Sequence, residues 1–171
     1  RHESRRRQPR GLVAYGRALL AVGEADRAID ALTNCVVEFP RDPLRYDARL
    51  LAALAHADLG DLDNARALMT DTLQDGEWTT QIPGWRDSLR TLGVLLYQRG
   101  YENHLLAEQK SGAERLDLLR ANQPILEEAI RHLDEAVIRY WDTTPRAESA
   151  AYLAARSHVL AAEWPRMEAQ L

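Results

Sequence analysis

Apolar residues recur along the chain at three- and four-residue spacing. Leu12, Tyr15 and Leu19 form one run, and Ala28, Leu32 and Cys35 form the next. Each run marks one face of an amphipathic helix. Gly23 separates the two runs and Pro40 follows the second, so the pattern predicts two helices joined by a turn and then stopped. The same arrangement recurs along the chain. Gly16, Ala53, Gly93 and Ala155 occupy one position of the repeat, and Gly23, Gly60, Gly100 and Ala162 another, seven residues on. Successive members of both rows lie 37, 40 and 62 residues apart. In a third row, Ala28, Ala65, Ala129 and Met167, the intervals are 37, 64 and 38. The long interval falls one step earlier there, so both patterns place the same 24 extra residues between Gly100 and Ala129.

Each row has a physical reading. A small residue in mid-helix lets a second helix cross closely, the glycine of the second row ends the first helix, and the small residue of the third row lies on the second helix at the crossing. On these positions the chain resembles the tetratricopeptide repeat family. The first unit carries Leu12, Tyr15, Gly16, Leu19, Ala28, Leu32, Cys35 and Pro40, which match that family's signature positions with similar residue types. The third carries Leu89, Leu92, Gly93, Leu96, Ala129, Leu133 and Ala136. The second departs at Arg49, His56 and Glu77; the fourth departs at Met167 and is cut at Leu171.

The resemblance implies an all-α, tetratricopeptide-like helix-turn-helix solenoid, a right-handed superhelix of about 3.5 repeats. Its units fall at about 9–42, 46–79, 86–142 and 148–171, behind a basic, frayed segment 1–8. Segments such as Glu38-Phe39-Pro40-Arg41-Asp42 and Arg139-Tyr140-Trp141-Asp142 are similar to the subset of the family found in bacterial cell-envelope proteins, which tilts the expected location to the envelope or periplasm.

The extra residues, 101–123, stay helix-prone through Leu105, Leu106, Leu116, Leu118 and Leu119, with a break at Ser111-Gly112. Two arrangements fit. Both helices of the third unit are lengthened into a long hairpin turning near Ser111-Gly112, with a first arm from about Trp85 to Gln109 and a kink or restart between Asn122 and Pro124. Alternatively, an extra helix is inserted and the next begins at Pro124.

Charge and composition narrow the functional classes. The chain has 171 residues, 46% of them hydrophobic, and a net charge of −4. Its first ten residues hold five arginines against Glu3, so the remainder is more acidic than the whole. An acidic body argues against nucleic acid as the partner. The single cysteine, Cys35, excludes an internal disulfide framework and is expected to be inert and buried. A start at Arg1 and a stop at Leu171 inside a helical pattern lead us to expect a fragment of a longer protein.

Candidate chemistry is sparse. No nucleophile elbow, phosphate-cradling glycine loop or serine-histidine-aspartate arrangement is present, which predicts no catalysis and no cofactor. Glu128, His132 and Glu135 share one helical face and would ligate a metal only with help from another helix. His56 and His158 occupy one repeat position and are expected to be partly buried between helices. Trp78, Trp85, Trp141 and Trp164 all fall near expected turns.

The resemblance also implies a binding surface, because the first helices of tetratricopeptide units line a concave groove. The positions facing it are Arg17 in the first unit, Leu50 and Leu54 in the second, Arg90, Val94 and Tyr97 in the third, and Tyr152 and Arg156 in the fourth. The carboxylate clamp of chaperone-binding members is absent, since Lys110 is the only lysine. The expected role is a non-enzymatic scaffold that binds a peptide or helix on this face or through the insertion. A regulatory or sensor arm attached to another domain is the alternative.

Overall fold

A computed structural model describes residues 8–75, 82–139 and 144–169. All regular structure among them is α-helical: α1 (Pro9–Ala21), α2 (Ala25–Glu38), α3 (Leu44–Asp58), α4 (Leu62–Gln74), α5 (Pro83–Glu108), α6 (Gly112–Arg139), α7 (Thr144–Ala161) and α8 (Glu163–Glu168). Arg5 to Arg7, Glu77, Trp78, Trp141 and Leu171 lie outside the described residues. The chain divides into two compact units, residues 1–88 and 89–171, and the boundary falls within α5.

In the first unit, α1 begins with Pro9 in its first turn, where a missing N–H is harmless. It ends at Gly23, which takes φ +79°. There the Glu24 N–H donates to Leu19 O at 2.9 Å and the Gly23 N–H to Leu20 O at 3.0 Å, the paired closure of a Schellman turn. The end of α3 repeats it: Gly60 has φ +79°, Asp61 N–H reaches His56 O at 2.8 Å, and Gly60 N–H reaches Ala57 O at 2.9 Å. Asp61 then caps α4 by accepting from Asn64 N–H at 3.2 Å, and hydrogen bonds led by the Asn64 side chain hold its carboxyl below the usual range.

The core of this unit gathers Val13, Leu19, Ala28, Leu32, Cys35, Ala48, Ala52 and Ala55. Gly16 is buried under Leu32, where an added Cβ would stand 2.5 Å from Leu32 Cγ. Arg49, which breaks the apolar pattern, reaches Asp75 at 3.3 Å. Arg45 reaches the same carboxylate at 3.0 Å and also bonds the Tyr46 hydroxyl and Pro40 O. This polar cluster ties the start of α3 to the end of α4.

In the second unit, Leu89, Leu92, Gly93, Leu96, Gly100 and Ala107 form the buried stripe of α5. It packs against Leu126, Ala129, Leu133 and Ala136 of α6. Gly93 lies under Leu133, an added Cβ standing 2.7 Å from Leu133 Cγ. Gly93 and Leu133 occupy the repeat positions of Gly16 and Leu32, with 24 more residues between them.

The extra residues lengthen both α5 and α6, so the hairpin turns at residues 109–111 and Gly112 takes φ +57°. At about 1.5 Å per residue, the 26-residue α5 is ~39 Å long. Helix α6 runs through Pro124 without restarting.

Gly100 does not end a helix, contrary to its place in the glycine row. It is buried within α5 beneath Leu126, and its carbonyl accepts from Asn122 Nδ2 at 2.8 Å. Helix α5 instead runs on to Glu108, and Gly112 opens α6 after the turn, because the arms continue beyond the crossing. Ala155 also departs from its row: it is exposed, and α7 buries Ala150, Ala154, Ser157 and Ala161 instead. The short α8 packs on both α6 and α7. Among the described residues, no helix is long and apolar enough to cross a membrane.

Candidate partner-binding face

Helix α5 carries Arg90, Val94, Tyr97 and Tyr101 at steps of four, three and four residues, which places them on one face. All four are half-buried. Tyr97 and Tyr101 stack with ring centroids 6.1 Å apart and planes inclined by 17°.

From α7 the neighbouring face adds Tyr152, 60% exposed, and Arg156. The Arg156 guanidinium carbon lies 5.7 Å from the Tyr101 centroid and 5.9 Å from that of Tyr152. It donates to the Tyr152 hydroxyl at 3.1 Å, and that bond leads the causes holding its pKa above the usual arginine value. Three of the residues that the repeat pattern selects, Tyr97, Tyr152 and Arg156, are therefore brought together. Tyr101 completes the cluster. Its four-residue step from Tyr97 was the available signal, obscured by its place at the start of the insertion.

Arg90 has no ion pair among the described residues, and its buried Nε has no hydrogen-bond partner. Five other cations of this unit have a carboxylate nearby. Arg99 lies beside Glu102, Lys110 beside Glu114, Arg115 beside Glu163, Arg120 beside Glu168 and Arg139 beside Glu135.

The remaining candidates belong to the first unit. Leu50 and Leu54 are half-buried on α3, and Arg17 is exposed on α1. The carboxyl of Asp47 is raised chiefly by burial; Arg17 opposes that rise and Asp87 adds to it.

A polar cluster around buried His104 joins α8 to the long hairpin. His104 sits between two carboxylates, with Nε2 3.4 Å from Glu108 Oε1 and Nδ1 3.2 Å from Glu163 Oε2. Arg115 holds the other oxygen of Glu163, and Arg120 lies 4.5 Å over the Trp164 ring. The sequence reading gave this cluster no role, because Glu163 lies 59 residues from His104 and 48 from Arg115.

His56 is partly buried as expected and pairs with Asp61 at 3.1 Å. His158 is not: its side chain is 61% exposed and 3.8 Å from Asp134. The repeat equivalent of Asp61 is Glu163, which is already held by His104 and Arg115. Trp85 is buried in the first turn of α5.

Glu128 Oε1 stands 3.7 Å from His132 Nε2, while Glu135 is bonded by Arg139. Among the described residues, no three His, Cys, Asp or Glu side chains gather in a way that would hold a metal ion. Cys35 is fully buried, its Sγ 3.7 Å from Pro9 O, and burial raises its thiol pKa, reinforced by Asp42 and Glu38. Comparison with protein-family models, curated proteins and solved structures gave no match.

Proposed function

We propose that this chain is a tetratricopeptide-like helical-repeat scaffold, not an enzyme, and that it binds a segment of another protein. The reading assigns the contact within residues 89–171 to the face carrying Val94, Tyr97, Tyr101, Tyr152 and Arg156. One observation carries it: Arg156 of α7 lies against tyrosine rings from both α5 and α7, while Tyr152 remains largely exposed. Rigid, amphipathic tyrosines beside an arginine are the composition of interface hot spots. The repeated helix crossings, Gly16 under Leu32 and Gly93 under Leu133, support the repeat architecture that presents such a face.

Affinity capture from the source cell extract tests this reading, using the wild-type chain beside a Tyr152→Ala, Arg156→Ala variant of unchanged helical content. A protein retained by the wild type and lost by the variant is the expected outcome. Equal retention by both would remove the function from this face.

A further inference from the structure

We propose that the occupant of this face is an acidic protein segment with two carboxylates about 16 Å apart, one for Arg90 and one for Arg156, and apolar or aromatic residues between them. This rests on the scaffold reading and adds the partner's chemistry. The spacing comes from α5: Arg90 and Tyr101 are eleven residues apart on one face, about 16 Å at 1.5 Å per residue, and the Arg156 guanidinium lies over Tyr101. The two cations thus bracket Val94 and Tyr97.

The charges are complementary to such a segment. Among the described residues neither Arg90 nor Arg156 has a carboxylate partner, whereas Arg99, Lys110, Arg115, Arg120 and Arg139 each have one nearby. Arg90 also leaves a buried Nε unsatisfied. That Nε is closed to solvent while Arg90 as a whole is only half-buried, so a partner's carboxylate would be met by the terminal guanidinium nitrogens in charge-assisted hydrogen bonds. Arg156 is oriented for its partner by the Tyr152 hydroxyl and the flanking rings. An extended segment advances about 3.3 Å per residue, so it would carry acidic residues about five positions apart; a helical one would carry them about eleven apart.

Selection of a displayed library of random 16-residue peptides on the immobilised full chain tests this. The expected result is enrichment of peptides with two acidic residues five or eleven apart around an apolar centre. Their binding should weaken about ten-fold in Arg90→Gln and again in Arg156→Gln, while both variants keep the wild-type circular dichroism spectrum. Enrichment of peptides without the acidic pair, lost in Tyr152→Ala, would overturn the acidic partner and leave the scaffold reading standing. No difference in selection between the wild type and a Tyr97→Ala, Tyr152→Ala, Arg156→Ala variant would overturn both. Binding of a dye-labelled oligouridine, abolished by Arg156→Gln, would replace the protein segment with a single-stranded nucleic acid stacked on the tyrosines.

Discussion

The Gly100 carbonyl accepts a 2.8 Å hydrogen bond from Asn122 Nδ2 at the crossing where Leu126 covers Gly100. Asn122 is 2% exposed, and its Oδ1 accepts from Asn103 at 3.1 Å, so both ends of its amide are engaged. Asn122→Ala is expected to lower stability by about 2 kcal/mol, through a cavity and unpaired partners. Urea unfolding followed by circular dichroism checks this; a loss near zero would mean that the crossing is held by Leu126 alone.

Two kinds of glycine are expected to respond differently to alanine. At Gly16 the added Cβ meets fully buried Leu32, so Gly16→Ala should destabilise by about 2 kcal/mol through overpacking. At Gly60 no atom lies within 4 Å, and only the φ of +79° opposes a side chain. Gly60→Ala should therefore cost about 1 kcal/mol. Thermal unfolding of the two variants should rank them in that order.

Asp75 neutralises two arginines, and the Arg45 side chain is only 8% exposed. Asp75→Ala removes a carboxylate from beside a buried guanidinium and is expected to cost about 3 kcal/mol. If the loss comes from that removed charge pairing, adding Arg45→Met to the Asp75→Ala variant should recover part of it. Chemical denaturation of the three proteins makes the comparison.

Burial pushes the His132 imidazole below its ordinary value, with Glu128 opposing the shift. The unfolded chain then binds the proton more readily than the folded one, so the associated stability is present above about pH 6.5 and declines as pH falls through that value. Wild type should lose more stability than His132→Gln between pH 7 and 5. Parallel pH dependence in the two proteins would show that His132 does not titrate in this way.

The Cys35 thiol is sealed and its pKa is raised, so it should resist a disulfide reagent at pH 7 until the protein unfolds. Labelling in native buffer and in urea gives the direct comparison. Prompt native labelling would require that the first hairpin opens readily.

The helices were legible where spacing alone decides. Leu12, Tyr15 and Leu19, followed by Gly23 and then Ala28, Leu32 and Cys35, describe α1, its turn and α2 in order. Gly100 was misplaced because glycine serves both at a helix end and under a crossing side chain; its neighbour in space, Leu126, is 26 residues away. Arg49 looked like a defect in an apolar row until Asp75 supplied its partner from the far end of α4. In the candidate face, repeat register selected Tyr97, Tyr152 and Arg156. Their convergence depends on α5 and α7 lying side by side, as does the place of Tyr101 beside Arg156.

The Schellman turns at Gly23 and Gly60 are closed by hydrogen bonds between near neighbours, and in the first unit α1 packs on α2 and α3, and α3 on α2 and α4. Such contacts place a light entropic burden on the search for the native state, which favours rapid folding. During synthesis, α1 and α2 can meet before α3 has left the ribosome. The long hairpin follows a different timetable, because Leu133 must find Gly93 forty residues behind it, against sixteen for Leu32 and Gly16. Its closure therefore costs more loop entropy than that of the first hairpin.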